Sequence, residues 1–261
     1  MRNFFEINRN QLVQYGMLEE TPYAIIDDFF STPDDVITLL HHVSPNFHKD
    51  GGTSNSSLDN GVGERPVIEE KPTGKKNYNG EMFKDMRHEF YSDMILPAYE
   101  HIFNVLKYMG IHQIPADRRA VISNCFTFKR DPFNDFENNY WWPHRDHGYS
   151  ALVYLNHNDN TGTNVYKCLE PDYEDDVKEH EEPWRPKERY EKILNFEPAF
   201  NRCILFNARK YHHGMHVENW RFEDTLENDT RMNLGFFFTP PPEQSKYCLL
   251  YTSPSPRDVR S

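Results

Sequence analysis

The chain has 261 residues and a formal net charge of −12 at pH 7, and its mean hydropathy is −0.85. The acidic balance argues against nucleic-acid binding, which needs clustered Lys and Arg for the phosphates, and we find no run of about 18 apolar residues that would span a membrane. Although only 37% of the residues are hydrophobic, 19 Phe, 15 Tyr and 4 Trp can build a core. We therefore predict one domain over residues 1–247.

The N-terminal third predicts a strand, a helix and a loop, in that order. "PYAIIDDFF" (22–30) is an apolar run ending in acids, which is typical of a strand. "STPDDVITLLHHV" (31–43) has a capping hydroxyl, a proline for the first turn and two aspartates for the positive end of the helix dipole. The Gly-, Ser- and Asn-rich residues 48–66 predict a loop. Apolar residues at helical spacing over 81–109 predict two helices, or one kinked helix, divided at Pro97.

The remainder predicts strands with long connections. Core strands are expected over about 120–240 in the segments 120–130, 149–156, 200–208 and 231–240. The charged segment 170–198 predicts a solvated surface excursion with short helical pieces, and a substrate lid is the alternative. The predicted fold class is mainly β with N-terminal α/β elements, arranged as an antiparallel double-sheet barrel or jelly roll.

Polar side chains collect just before the second of these core strands, in "PHRDHGYS". Along an extended chain His144 and Asp146 point to the same side and Arg145 to the other. A third ligand from "YHHGMH", after the next strand, would complete two histidines and one carboxylate. Such a triad leaves coordination positions open and suits non-haem Fe(II), whereas structural zinc prefers four ligands with thiolates. The alternative is a polar strand end and an exposed turn without a metal.

The motifs "YWWPHRDHGYSALVYLN", "TGTNVY", "FNRCILFNARKYHHG" and "TRMNLGFFF" resemble the core of the Fe(II)/2-oxoglutarate-dependent dioxygenases, in particular the prolyl-4-hydroxylase-like branch. The lead-in "YAIIDDFFSTPDDVITLL" is also similar to the opening strand and helix of that branch. The family's "GGT" is reduced here to Gly162–Thr163. The resemblance implies a double-stranded β-helix, a cupin-like jelly roll, over roughly residues 23–239.

The resemblance also implies roles for individual residues. His144 and Asp146 would be iron ligands, and His212 is chosen as the distal ligand because it follows the strand residue Phe206 at the family's distance. His213 remains the alternative for that ligand, since adjacent histidines on an extended chain face oppositely and only one can bind. In the resemblance Arg231 pairs with the far carboxylate of 2-oxoglutarate, which suits a two-pronged guanidinium.

Two tyrosines are further candidates for binding the co-substrate. Tyr140 and Tyr154 carry hydroxyls that can donate hydrogen bonds to a carboxylate, although aromatic strand residues commonly pack in a core. With these residues the resemblance implies an oxygenase that uses Fe(II) and 2-oxoglutarate.

The expected reaction is hydroxylation of a C–H bond in a peptidyl side chain or a small molecule, with release of succinate and CO2. Two alternatives stay open: a non-catalytic jelly roll for binding or assembly, and a cupin-type metalloenzyme that does not use 2-oxoglutarate. The four cysteines lie far apart without a CxxC pair, which predicts a reduced cytoplasmic protein.

The last residues carry a second resemblance. "CLLYTSPSPRD" (248–258) is similar to the in-frame translation of an adapter used to prepare sequencing libraries. We therefore expect residues 248–261 to be a non-native tail that takes no part in the fold.

Overall fold

The computed structural model describes residues 4–42, 46–47, 83–90, 92–116, 121–128, 137–157, 162–170, 184–216 and 231–241. The strands are β1 (Leu12–Leu18), β2 (Thr21–Asp27), β3 (Asn46–Phe47), β4 (Phe83–Phe90), β5 (Ile114–Pro115), β6 (Val121–Phe128), β7 (Asn139–Trp141), β8 (Tyr149–Tyr154), β9 (Thr163–Cys168), β10 (Trp184–Pro186), β11 (Tyr190–Phe196), β12 (Cys203–Asn207), β13 (His212–Met215) and β14 (Arg231–Thr239). The helices are α1 (Pro33–His42) and α2 (Ser92–Tyr108), with a 3-10 turn at Lys187–Arg189.

The strands form one large sheet, one small sheet and a two-stranded ribbon. The large sheet has the order β1-β2-β12-β8-β14-β6-β4-β3, and β5 also pairs with β14. The small sheet has the order β11-β9-β13, and the ribbon joins β7 to β10. Every pairing is antiparallel. The prediction of a mainly β, antiparallel protein with few helices is confirmed.

One face of the large sheet is covered by the helices. The apolar residues of α2 recur at spacings of three and four, so they form one stripe along the helix. This helix-side core contains Val36, Ile95, Ala98, Ile102, Leu106, Ala151, Val153, Leu205, Leu234 and Phe236. Each of these side chains is completely buried, and at roughly 25 cal/mol per Å² such burial is the main source of stability for this layer.

The other face of the large sheet packs against the small sheet. A second apolar cluster fills this space, with Leu152, Ile204 and Phe206 from the large sheet and Val165 and Phe196 from the small sheet. Because β8 is covered on both faces, all six of its residues are buried and no apolar–polar alternation remains in "YSALVY". We call the space between the two sheets the inter-sheet space.

Two sequence predictions about secondary structure are wrong. Residues 83–90 form the strand β4 rather than a helix, because "FKDMRHEF" pairs along its whole length with β6. The helix begins only at Ser92 and continues through Pro97, whose missing N–H near the helix start removes a single intrahelical hydrogen bond. In the charged segment 170–198, residues 184–196 are not a solvated excursion: they form β10 and β11, which pair with β7 and β9.

Several predictions fall outside the described residues. These are the Gly- and Ser-rich loop at 48–66, residues 171–183 of the charged segment, and the tail at 248–261. In the part of the chain that is described, none of the helices has the length and apolar character needed to cross a bilayer. Cys168 and Cys203 are both free thiols.

Candidate metal centre

Three side chains converge at the edge of the inter-sheet space. His144, Asp146 and His213 each offer one ligand atom, and these atoms lie within 4.8 Å of one another. His144 and Asp146 belong to the segment between β7 and β8, and His213 belongs to β13. Residues 144 and 146 are half-buried while Arg145 is exposed, as expected where alternate side chains of an extended chain share a side.

Main-chain hydrogen bonds fix the segment that carries the first two of these residues. The N–H of His144 donates to the carbonyl of His213 at 3.0 Å, and the N–H of His213 donates back at 2.8 Å. The N–H of Asp146 donates to the Ala208 carbonyl at 2.9 Å. The segment is therefore tied both to β13 and to the residue that follows β12, and this brings distant parts of the sequence together.

The structure groups His213, and not the predicted His212, with His144 and Asp146. In β13, His213 is paired with Val165, which belongs to the inter-sheet cluster, so His213 faces the same way. His212 is paired with Tyr166 and faces away from the inter-sheet space, with its ring 5.5 Å from that of Tyr190. Counting residues from Phe206 is off by one because the turn after β12 sets the register of β13, and a shift of one residue exchanges the faces of a strand.

The charge states of the group suit a cation. Burial opposes ionisation of Asp146, yet its polar surroundings, which include the hydrogen bond donated by the Ser150 hydroxyl, hold the pKa of Asp146 below its usual range. Burial, aided by the neighbouring His144, lowers the pKa of His213 to about 3. At neutral pH the structure thus presents an ionised carboxylate and a neutral imidazole, which are the forms that bind metals.

Two further contacts orient the ligands. Ser150 donates its hydroxyl hydrogen to Oδ2 of Asp146 at 2.6 Å, and the same oxygen lies 3.4 Å from Nε2 of His213. Nδ1 of His144 lies 2.8 Å from the Trp142 carbonyl, so Nδ1 carries the hydrogen and Nε2 keeps its lone pair. Metal-binding histidines commonly donate their second ring nitrogen in this way. The donor set therefore fits a divalent transition metal with open coordination positions.

A buried arginine of the large sheet also faces the inter-sheet space. Arg231 is paired across from Phe126, at the start of β14, and its side chain is only 4% exposed. Residues 231 and 233 share a face of β14, and Asn233 is paired with Tyr154 of β8, which shares its face with Ser150. Arg231 and the metal group therefore both open onto the inter-sheet space.

Few contacts offset the free-energy cost of burying the Arg231 guanidinium. Nη1 donates to Oδ1 of Asn233 at 3.0 Å, but Nε is buried without a hydrogen-bond partner. None of the carboxylates in the described residues lies within ion-pair distance of it. Burial, partly offset by Tyr154, lowers the pKa of Arg231 to about 10, so the group stays cationic at neutral pH. Buried charges are normally paired, and a site for an anion beside Arg231 satisfies this requirement.

The two tyrosines predicted as co-substrate residues have different surroundings. The Tyr154 ring lies 6.0 Å from the Arg231 guanidinium, and its hydroxyl donates to Oγ1 of Thr163 at 2.7 Å. The Tyr140 ring packs 4.5 Å from that of Tyr166, whose side chain lies on the face of the small sheet opposite to that of Val165. The small sheet therefore separates Tyr140 from Arg231.

Sequence reasoning missed two polar residues of the inter-sheet space. Ser150 follows Asp146 by four positions and shares its side of the chain, so alternation could have pointed to it. Thr163 becomes visible only once β9 is known to face β8, since that contact joins residues of different sheets. No protein-family model matches this chain, and no curated protein matches it either.

Proposed function

We propose that this protein is an Fe(II)- and 2-oxoglutarate-dependent oxygenase built on a double-stranded β-helix. The observation that carries the proposal is the buried Arg231, whose charge has no acidic partner in the described residues and which opens onto the same inter-sheet space as His144, Asp146 and His213. A metal group and a cation that face one shared space match a co-substrate that chelates a metal at one end and carries a carboxylate at the other.

The assignment of the fold is supported by the arrangement of the sheets. A large and a small antiparallel sheet face each other across an apolar layer, and helices cover the outer side of the large sheet. In a cupin-like jelly roll the ligand site lies between two such sheets. The His144 and Asp146 segment and His213 lie at the edge of this layer, which leaves one side of the metal group for a substrate.

The residues of this site would bind the metal, bind the co-substrate and form the apolar wall of the site. His144, Asp146 and His213 hold Fe(II), while Arg231 binds the far carboxylate of 2-oxoglutarate. Asn233 orients the guanidinium, and Phe206 supplies an apolar wall 5.0 Å from the His213 ring. With Fe(II) bound, dioxygen would be the oxidant: one of its oxygen atoms would enter succinate as 2-oxoglutarate loses CO2, and the other would enter a substrate C–H bond. A peptidyl side chain or a small molecule is the proposed substrate.

An anaerobic titration tests the proposal. Fe(II) and then 2-oxoglutarate are added to the full chain, and the weak visible charge-transfer band of a chelated 2-oxo acid is followed. We expect the band in the wild type and its loss in His213→Ala. Arg231→Met should need at least about tenfold more 2-oxoglutarate, because it removes a charge-assisted contact worth about 1.5–3 kcal/mol.

Arg202→Met is the matched control, because Arg202 forms its ion pair with Asp27 at 2.6 Å on another part of the large sheet. The two alternatives give different results. Metal binding without the band would favour a metalloenzyme that does not use 2-oxoglutarate, and no metal binding would favour a role in binding or assembly.

A further inference from the structure

A buried arginine from a distant part of the sequence holds the segment that carries His144. Arg185 is 4% exposed and lies in β10, where it is paired with Tyr140 of β7. Its Nη1 donates to the carbonyl of Pro143, the residue just before His144, and lies 3.4 Å from the Tyr190 hydroxyl. The guanidinium therefore links β11 to the metal-ligand segment.

The segment needs such support because its backbone is strained. Trp142 has φ of 45°, a left-handed conformation that bulky residues seldom adopt and that costs of order 1–3 kcal/mol. In this conformation the Trp142 carbonyl accepts the hydrogen of His144 Nδ1. A strained residue persists only where its surroundings over-determine it, and here the ribbon of β7 and β10 supplies those surroundings.

We infer that Arg185 is a positioning residue for His144. Through the Pro143 carbonyl it keeps the turn at residues 142–144 in the geometry in which Nδ1 of His144 stays on the Trp142 carbonyl and Nε2 remains available. The functional meaning of this inference rests on the proposed metal centre, whereas its structural content concerns the chain alone.

Arginine suits this role better than lysine does. Its rigid, planar guanidinium holds Nη1 between the Pro143 carbonyl and the Tyr190 hydroxyl and remains charged when buried. A lysine offers a single point donor on a flexible stem. The inference also gives a role to part of the charged segment 170–198: residues 184–190 bring Arg185 and Tyr190 to the back of the metal group.

The first test examines the metal-free full chain. Long-range proton–nitrogen correlation spectra of histidine-labelled protein report the tautomer of His144 at about pH 8, above the histidine reference pKa. The His144 signals are assigned by their loss in His144→Ala. We expect a single Nδ1–H tautomer in the wild type and a mixture of tautomers in Arg185→Gln. The matched control is Arg189→Gln, because Arg189 lies in the same segment and pairs with Glu170 at 3.6 Å; it should retain the wild-type tautomer.

The second test measures Co(II) affinity by absorbance. Arg185→Gln should weaken binding by about tenfold or more, as is typical when the support of a ligand is removed. In the His144→Ala background the same change should have no further effect, because Arg185 would act only through His144. A residue that merely stabilises the fold would lower the affinity in both backgrounds.

The inference is overturned if Arg185→Gln keeps the wild-type tautomer, or if it weakens Co(II) binding equally with and without His144. If Arg185→Gln does not fold, Arg185→Lys decides: a smaller but measurable mixing of tautomers is expected, and an unchanged tautomer overturns the inference. If the proposed function is wrong, wild-type protein binds no Co(II). The tautomers of the metal-free wild type and Arg185→Gln can still be compared, so the two failures are distinguishable.

Discussion

The main chains of His144 and His213 are hydrogen-bonded to each other in both directions, at 3.0 and 2.8 Å, and their imidazole rings are 4.2 Å apart. Two candidate metal ligands that are far apart in sequence are thus joined by a β-bridge before any metal binds. The spacing of the two rings therefore depends on the backbone around β13, and we expect backbone changes there to alter the affinity for a metal ion.

Gly214 is the first place to test this dependence. A Cβ at this position would come too close to the carbonyl oxygen of Trp141 and would also crowd that of Trp142. We expect Gly214→Ala to displace the turn before His144 and to weaken Co(II) binding by about tenfold or more, as loss of ligand support does. Isothermal titration calorimetry measures the affinity.

Gly110→Ala is the matched control for Gly214→Ala. Gly110 has φ of 77° with nothing within 4 Å of an added Cβ, so alanine there should cost only about 1–2 kcal/mol of backbone strain. Its Co(II) affinity should stay at the wild-type value. Equal losses of affinity in the two variants would show that general destabilisation, and not the turn, is responsible.

Ser150 should contribute to metal affinity through Asp146. Removing its hydroxyl in Ser150→Ala deletes a hydrogen bond to an ionised group, worth about 1.5–3 kcal/mol, and leaves the carboxylate less well oriented. We expect about a tenfold loss of Co(II) affinity from this energy. Thr163→Val removes a buried hydroxyl from the same inter-sheet space without touching Asp146, and the idea fails if both variants lose affinity alike.

Arg231 should reduce the stability of the co-substrate-free protein. Its guanidinium is buried without an acidic partner in the described part of the chain, so Arg231→Met exchanges an uncompensated charge for an apolar side chain of similar length. We expect a Tm at or above that of the wild type, since about 1 kcal/mol corresponds to roughly 2–4 °C for a protein of this size. Differential scanning calorimetry measures it.

The same variant should respond less to the co-substrate. With Co(II) present, a given concentration of 2-oxoglutarate should raise the Tm of the wild type more than that of Arg231→Met, because the stabilisation grows with the affinity for the ligand. A large fall in Tm for Arg231→Met without ligand would show that the arginine serves the fold.

His101 should make stability sensitive to mild acid. Burial lowers the pKa of His101, whose ring lies 5.8 Å from that of Phe29. The unfolded chain therefore binds a proton more readily than the folded chain, and the contribution present above the unfolded pKa of about 6.5 is lost as the pH falls below it. We expect His101→Phe to flatten the fall in unfolding free energy between about pH 7 and 5, and urea titrations at several pH values measure it. An unchanged slope would rule out His101 as its source.

Local sequence signals identified much of the fold. Capping residues predicted the start of α1, and apolar runs predicted the strands β2, β8, β12 and β14. The strand β4 was misassigned because "FKDMRHEF" also places apolar residues at helical spacing, and only its pairing with β6 decides between the two structures. Pairing partners are non-local, so no window of sequence contains them.

The residues of the candidate site also differ in how far local sequence could predict them. His144 and Asp146 could be grouped from their spacing alone, because alternation holds over two residues of extended chain. His213 could not be separated from His212, since their facing depends on the register of β13 against β9. No local sequence pattern indicated a role for Arg185, because its contact with Pro143 joins residues 42 positions apart through the pairing of β7 with β10.

The adjacent histidines of β13 offer the most direct test of the metal centre. Co(II) absorbance titrations of His213→Ala and His212→Ala, each checked for an intact metal-free fold by circular dichroism, compare two neighbouring residues that face opposite sides of one strand. Our account predicts that His213→Ala loses most of its Co(II) affinity and that His212→Ala keeps the wild-type affinity. Intact binding in His213→Ala, or its loss only in His212→Ala, would contradict the account.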